Sequence, residues 1–267
     1  MAKIRHMAMC TKNNRRLARF YRSVFGLEEL WSDKQNSPYS FYTSDGYINL
    51  NILQIRTGMS YEREVDGHRI LPEVEINHLG YQVDNTQEIK KRLAELDPPG
   101  KMIPSPQDGR WEEYRIIDPD GNIFETAERG WGAEEGRRLP AIGHVAIKTE
   151  NPGQLADFYK FVLDMKEVRR MDVPETSTEA IFLSDGTISL ELVKNPPLEK
   201  PGYQLVGFHV EGIKETERRI KTAPSFLYPG EPKVEIMHRP PGGPYKTSYL
   251  RDPDGNFVDL SEEGWVV

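Results

Sequence analysis

The sequence predicts an α+β fold, with four βαβββ modules in two repeated domains. Two observations carry this reading. First, the chain repeats itself at a spacing of about 135 residues. Ile-Arg-His-Met-Ala-Met at 4–9 returns at 142–147 as Ile-Gly-His-Val-Ala-Ile, and Asp-Pro-Asp-Gly-Asn at 118–122 returns at 252–256. Each later run is followed by a Gly-Trp pair, Gly130-Trp131 and Gly264-Trp265. Second, each copy divides again into two units with the order strand, helix, several strands.

The elements follow in chain order. Module one opens with a strand at 4–10. Leu17, Phe20, Tyr21 and Val24 then recur at helical spacing. Asn13 or Asn14 is placed to cap this helix, and Gly26 to end it. Strands are expected near 39–43 and 47–55, around the turn Ser44-Asp45-Gly46. Module two has a strand at 76–83 and a helix near 86–96 that turns Ile89, Leu93 and Leu96 inward. A strand near 112–117, the Asp-Pro-Asp-Gly turn and a strand at 123–126 complete it. Module three repeats module one, with helix positions Leu155, Phe158, Tyr159 and Val162 and the turn Ser184-Asp185-Gly186. Module four repeats module two, with strands at 205–210, 247–250 and 257–260 and a helix near 214–221. The segment 130–140 reads as the interdomain linker, giving domains 1–130 and 141–267. Breaks near 56–72 and 194–203 separate the modules within each copy.

Composition narrows the class. No apolar run approaches the roughly 20 residues of a membrane helix, and the first residues lack an apolar signal region. Cys10 is the single cysteine, which excludes an intrachain disulfide and fits a reducing, cytoplasmic setting. A net charge of −7 argues against a broad nucleic-acid surface. Arg15, Arg16, Arg19 and Arg22 read as a solvated helix face. The expected partner is a small molecule with adjacent oxygens, with no nucleic acid and no membrane. Homo-oligomerisation is left open.

The copies differ where chemistry is expected. The first has His6, His78 and Glu125 where the second has His144, Leu205 and Asp259. Two imidazoles and a carboxylate suit a divalent metal, and leucine removes a ligand. The first copy is therefore expected to be the working half and the second degenerate.

Paired βαβββ units, a first-strand histidine, and Asp-Pro-Asp-Gly-Asn shortly before an acidic residue resemble the vicinal oxygen chelate superfamily. This superfamily includes glyoxalase I, extradiol dioxygenases, methylmalonyl-CoA epimerase and bleomycin resistance proteins. The resemblance implies two glyoxalase-like cups with the metal inside and the helices outside. It implies His6, His78 and Glu125 as ligands, with Asn51 aligned at the fourth position. Pairing of modules two and three instead would give the alternative set His78, Glu125, His144 and Glu191.

Extradiol-type cleavage of a catechol-like substrate is the expected activity, because Asn51 leaves an open metal face. The alternatives are a glyoxalase- or epimerase-type isomerase or lyase, with Glu125 or Glu191 as base, and a non-catalytic antibiotic- or metabolite-binding protein. Fe(II) or Mn(II) is the expected metal, while Zn(II), Ni(II) and Co(II) suit the same ligands. Tyr114, Arg115 and His68 are the candidates for orienting or protonating intermediates. Dioxygenase relatives place a tyrosine three residues before the Asp-Pro-Asp-Gly aspartate, and here Arg115 holds that point.

Overall fold

The computed structural model describes residues 1–30, 39–59, 61, 63–65, 68–105, 113–133, 136–173, 178–194, 200–223, 234–238 and 247–267. Only the backbone is described at 63–65, 68–70, 173 and 178. Module one comprises β1 (Lys3–Thr11), α1 (Asn14–Phe25), β2 (Glu28–Glu29), β3 (Ser40–Ser44) and β4 (Asn49–Gln54). A two-stranded hairpin, β5 (Arg63–Val65) and β6 (His68–Ile70), stands in the break between modules. Module two comprises β7 (Glu75–Gln82), α2 (Thr86–Ala94), β8 (Met102–Pro104), β9 (Tyr114–Ile117) and β10 (Ile123–Ala127). Residue 112, the expected first residue of the strand before the turn, lies outside the described residues.

The second copy repeats this plan. Module three comprises β11 (Ala141–Thr149), α3 (Pro152–Leu163), β12 (Lys166–Val173), β13 (Thr178–Ser184) and β14 (Ser189–Lys194). Module four comprises β15 (Gly202–His209), α4 (Ile213–Thr222), β16 (Met237–His238), β17 (Thr247–Arg251) and β18 (Phe257–Ser261). All four modules are βαβββ units. The short strands β2 and β16 carry too few residues for an alternating pattern to show in the sequence.

Modules pair within a copy. One eight-stranded sheet has the order β2-β3-β4-β1-β7-β10-β9-β8, and the other β12-β13-β14-β11-β15-β18-β17-β16. The first strands of each pair run antiparallel at the centre, as β1 against β7 and β11 against β15.

The helix caps match the sequence. The Asn13 side chain accepts from the Arg16 amide, and Gly26 takes the left-handed conformation that lacks a steric penalty only for glycine. Asn151 caps α3 in the same way.

The helices lie on the face of each sheet opposite the histidines, as expected for cups. That face is not left to solvent. The helical faces of the two copies pack on each other and share one continuous apolar core. Phe25 of α1 stacks on Phe208 of β15 at 3.9 Å between ring centroids. The repeated turns also clasp the copies together. Asp45 accepts from the Ile142 amide at 2.8 Å and Asp185 from the Ile4 amide at 2.6 Å. Arg16, read from sequence as part of a solvated face, turns inward and pairs with Asp254 at 2.8 Å.

Candidate metal centre

Strand register builds the site. One row across the N-terminal sheet reads Asn49, His6, Gly80, Glu125, and the row beside it reads Asn51, Ala8, His78. Side chains alternate along a strand, so His6 and Ala8 share a face, as do His78 and Gly80. Gly80 stands between His6 and Glu125 with no side chain to separate them. A Cβ there would lie 2.7 Å from the His6 Cβ and 2.9 Å from the Trp131 ring.

The result is a compact buried cluster. One ligand atom from each of His6, His78 and Glu125 lies within 4.8 Å of the others. Ligands sharing one ion at about 2.0–2.2 Å sit roughly 3–4 Å apart, so a small closure suffices. All three residues are buried.

Neighbouring groups set the tautomers. The Asn49 amide nitrogen donates to the Trp131 carbonyl, which leaves its oxygen to accept from His6 Nδ1–H at 3.1 Å. His6 Nε2 therefore carries a lone pair. Asn77 Oδ1 holds His78 Nδ1 at 2.9 Å, and His78 Nε2 lies 3.4 Å from Glu125 Oε2. Such partners fix metal-ligating imidazoles in orientation and protonation state. Trp131 also stacks on His6 at 5.1 Å and donates its indole N–H to Glu113.

The carboxylate is held from one side. Arg115 Nε lies 3.1 Å from Glu125 Oε1, and the Tyr61 hydroxyl donates to the same oxygen at 3.0 Å. Glu125 Oε2 accepts no hydrogen bond, and neither does the buried Asn51 Oδ1. A buried carboxylate oxygen without a donor is costly, and a cation beside it would remove that cost. The residues present therefore fit a divalent metal.

Titration favours the same state. Burial, reinforced by His78, pushes His6 down to about 3, so its imidazole is neutral near pH 7. Burial would raise the Glu125 carboxyl, but the partners around it, the His78 imidazole foremost and then His6 and Arg115, outweigh it. The group is held well below the usual carboxylate range. Burial pushes the Tyr61 phenol well above its ordinary value, and the Glu125 charge adds to this. Tyr61 is thus a hydroxyl donor.

The other site candidates sort clearly. Arg115 reaches the cluster. Tyr114, its strand neighbour, belongs to the opposite face by alternation. His68 lies in β6, and its side chain is outside the described residues. His144 and Glu191 belong to the other sheet, so the structure does not assemble the alternative set. Tyr61 and Asn49 are additions that the sequence reading missed. Trp131 belongs to a repeated Gly-Trp pair that had signalled only the repeat.

The second copy has the same rows with different chemistry. Ser189, His144, Gly207 and Asp259 form one, and Glu191, Ala146, Leu205 and Phe257 the other. Leu205 replaces the second histidine, and Glu191 stands where Asn51 stands in the first copy. His144 Nε2 lies 3.1 Å from Glu191 Oε2, while its buried Nδ1 has no partner.

A family model described as Glyoxalase/Bleomycin resistance protein/Dioxygenase superfamily matches residues 3–126 and again 141–260. The chain belongs to this superfamily. Solved structures with the superfamily fold align along nearly all of it. The 2,3-dioxygenase LapB from Pseudomonas sp. KL28 superposes with a TM-score of 0.66 at 20% identity, over 98% of this chain and 92% of that one. The Mn(II)-bound glyoxalase from Novosphingobium aromaticivorans gives 0.65 at 17% identity, over 97% and 82%. The 2,2',3-trihydroxybiphenyl 1,2-dioxygenase from Sphingomonas wittichii strain RW1 gives 0.64 at 12% identity, over 100% and 92%. At such identities the likeness establishes the glyoxalase-like fold. No curated protein matches the chain in sequence.

Proposed function

We propose that the N-terminal domain, residues 1–130, holds Fe(II) or Mn(II) through His6, His78 and Glu125. We further propose that the protein is an extradiol-type dioxygenase cleaving a catechol-like ring. The observation that carries this is the composition of the cluster: two imidazoles and one carboxylate, with the neutral Asn51 rather than a carboxylate on the neighbouring strand. When bound, such a metal supplies a Lewis acid and an oxygen-activating centre.

The chain's own residues do the rest. His6 and His78 present Nε2 lone pairs fixed by Asn49 and Asn77. Glu125 supplies the one anionic ligand, and Arg115 holds its far oxygen so that Oε2 faces the cluster. With Asn51 outside the ligand set, a metal held by three side chains would keep coordination positions for a ligand with two adjacent oxygens. The isomerase or lyase alternative calls for a carboxylate base beside a carbonyl substrate. Glu191 belongs to the other sheet, and Glu125 is already hydrogen-bonded by Arg115 and Tyr61. The C-terminal domain, 141–267, is in this reading a metal-free structural partner.

The test is anaerobic reconstitution with Fe(II), followed by oxygen-uptake measurement across a panel of catechols. Uptake accompanied by a yellow ring-opened product supports the reading, and Glu125→Gln should abolish it while leaving the fold intact. Metal-dependent proton transfer on a carbonyl compound without oxygen uptake would replace the dioxygenase reading with the isomerase or lyase one. Ligand binding without turnover would favour a non-catalytic binding protein.

A further inference from the structure

Tyr61 lies on the segment between β4 and β5, where no hydrophobic periodicity marks it, yet it is buried to 4% exposure. Its ring is clamped from both sides. It stacks on the His78 imidazole at 4.8 Å, and the Arg115 guanidinium lies 4.0 Å from its centroid. Below, it packs with Ala8, Cys10, Leu53 and Met59 on the cup floor. The clamp points the hydroxyl at the cluster, 3.0 Å from Glu125 Oε1 and 3.4 Å from His78 Nε2.

Resting on the reading that His6, His78 and Glu125 hold a metal, we propose that Tyr61 is a catalytic residue. Its hydroxyl donates a hydrogen bond to one of the two adjacent oxygens of the bound ligand and thereby selects for oxygen chelates. Tyr61 acts as a donor, not as a metal ligand. A phenolate at this position would face the Glu125 carboxylate at 3.0 Å, a repulsive pair in a buried site. A neutral hydroxyl there is already paired favourably. A ligand oxygen at the cluster competes for the same proton, and Arg115 retains Glu125 Oε1 when the hydroxyl turns to it. A hydrogen bond to a charged oxygen in a dry site is among the stronger ones.

The test uses the full-length protein loaded with Co(II), whose visible spectrum reports ligand binding, and acetohydroxamate, a small chelator with two adjacent oxygens. Tyr61→Phe keeps the ring between Arg115 and His78, and its Co(II) stoichiometry should match the parent. Acetohydroxamate should bind this variant at least about tenfold more weakly. Equal affinity for the two proteins would overturn the proposal, as would a parent protein that binds Co(II) but not acetohydroxamate. Loading with Fe(III) provides a second arm. No phenolate-to-iron absorption band is expected, and a band that disappears in Tyr61→Phe would make Tyr61 a ligand and overturn the donor role. Neither readout depends on the reaction that follows, so failure of catechol cleavage and failure of this proposal are told apart.

Discussion

The Tyr21 hydroxyl, on the first helix, donates to Asp252 Oδ2 in the far turn of the second copy at 3.0 Å. Its counterpart Tyr159 donates to Asp118 Oδ2 at 3.0 Å. The repeated Asp-Pro-Asp-Gly-Asn motif is therefore both a turn and a clasp. The first aspartate closes its own turn through backbone amides, as in the bonds from Asp120 and Asn122 to Asp118 Oδ1. Its second oxygen receives a tyrosine from the other copy. Each clasp is buried, which makes its loss felt.

Tyr21→Phe should destabilise the protein by about 1.5–3 kcal/mol, the typical worth of a hydrogen bond to a charged group. Tyr159→Phe should cost a similar amount. Urea unfolding measures both, and metal content should not change. A variant as stable as the parent would show that the clasp contributes nothing.

Gly80→Ala should damage the cluster without touching a ligand. The added methyl would lie 2.7 Å from the His6 Cβ and meet the Trp131 ring, so one of them must move. Overpacking of this kind costs about 1–3 kcal/mol. Metal affinity should fall at least tenfold with it, whereas an affinity equal to the parent's would contradict the role assigned to the glycine.

The pH dependence of apo stability should report His6. Its folded value is lowered to about 3 from 6.5. The unfolded chain therefore binds a proton below pH 6.5 that the folded chain refuses, and the stability this group contributes is lost as pH falls from 6.5 towards about 3. In this window the loss approaches about 1.4 kcal/mol per pH unit. His6→Gln removes this component, so its stability should fall less steeply between pH 6.5 and 4 than that of the parent. Parallel stability curves would contradict the shift.

Much of this architecture was legible in the sequence because it is periodic or repeated. Helix spacing gave α1 and α3, the Ser-Asp-Gly and Asp-Pro-Asp-Gly turns placed the strands, and comparison of the copies brought out His6, His78 and Glu125 together. What was not legible depends on contacts between distant segments. Tyr61 belongs to no periodic segment, and Asn49 acts only because strand register sets it beside His6. The choice between Tyr114 and Arg115 rests on strand phase, which a spacing count from the aspartate does not fix. The inward turn of Arg16 and the burial of the helices depend on how the copies dock. Amphipathic spacing shows that a helix has an apolar face, but not what covers the rest.

The central claim is that one metal site exists and lies in the first copy. Metal-loaded protein should be crystallised and its anomalous scattering measured at the metal edge. One peak per chain is expected, within about 2.0–2.3 Å of His6 Nε2, His78 Nε2 and a Glu125 oxygen, with none beside His144, Leu205 or Asp259. A peak against Asp259 and Glu191, or no peak among His6, His78 and Glu125 in protein shown to contain metal, would contradict the account.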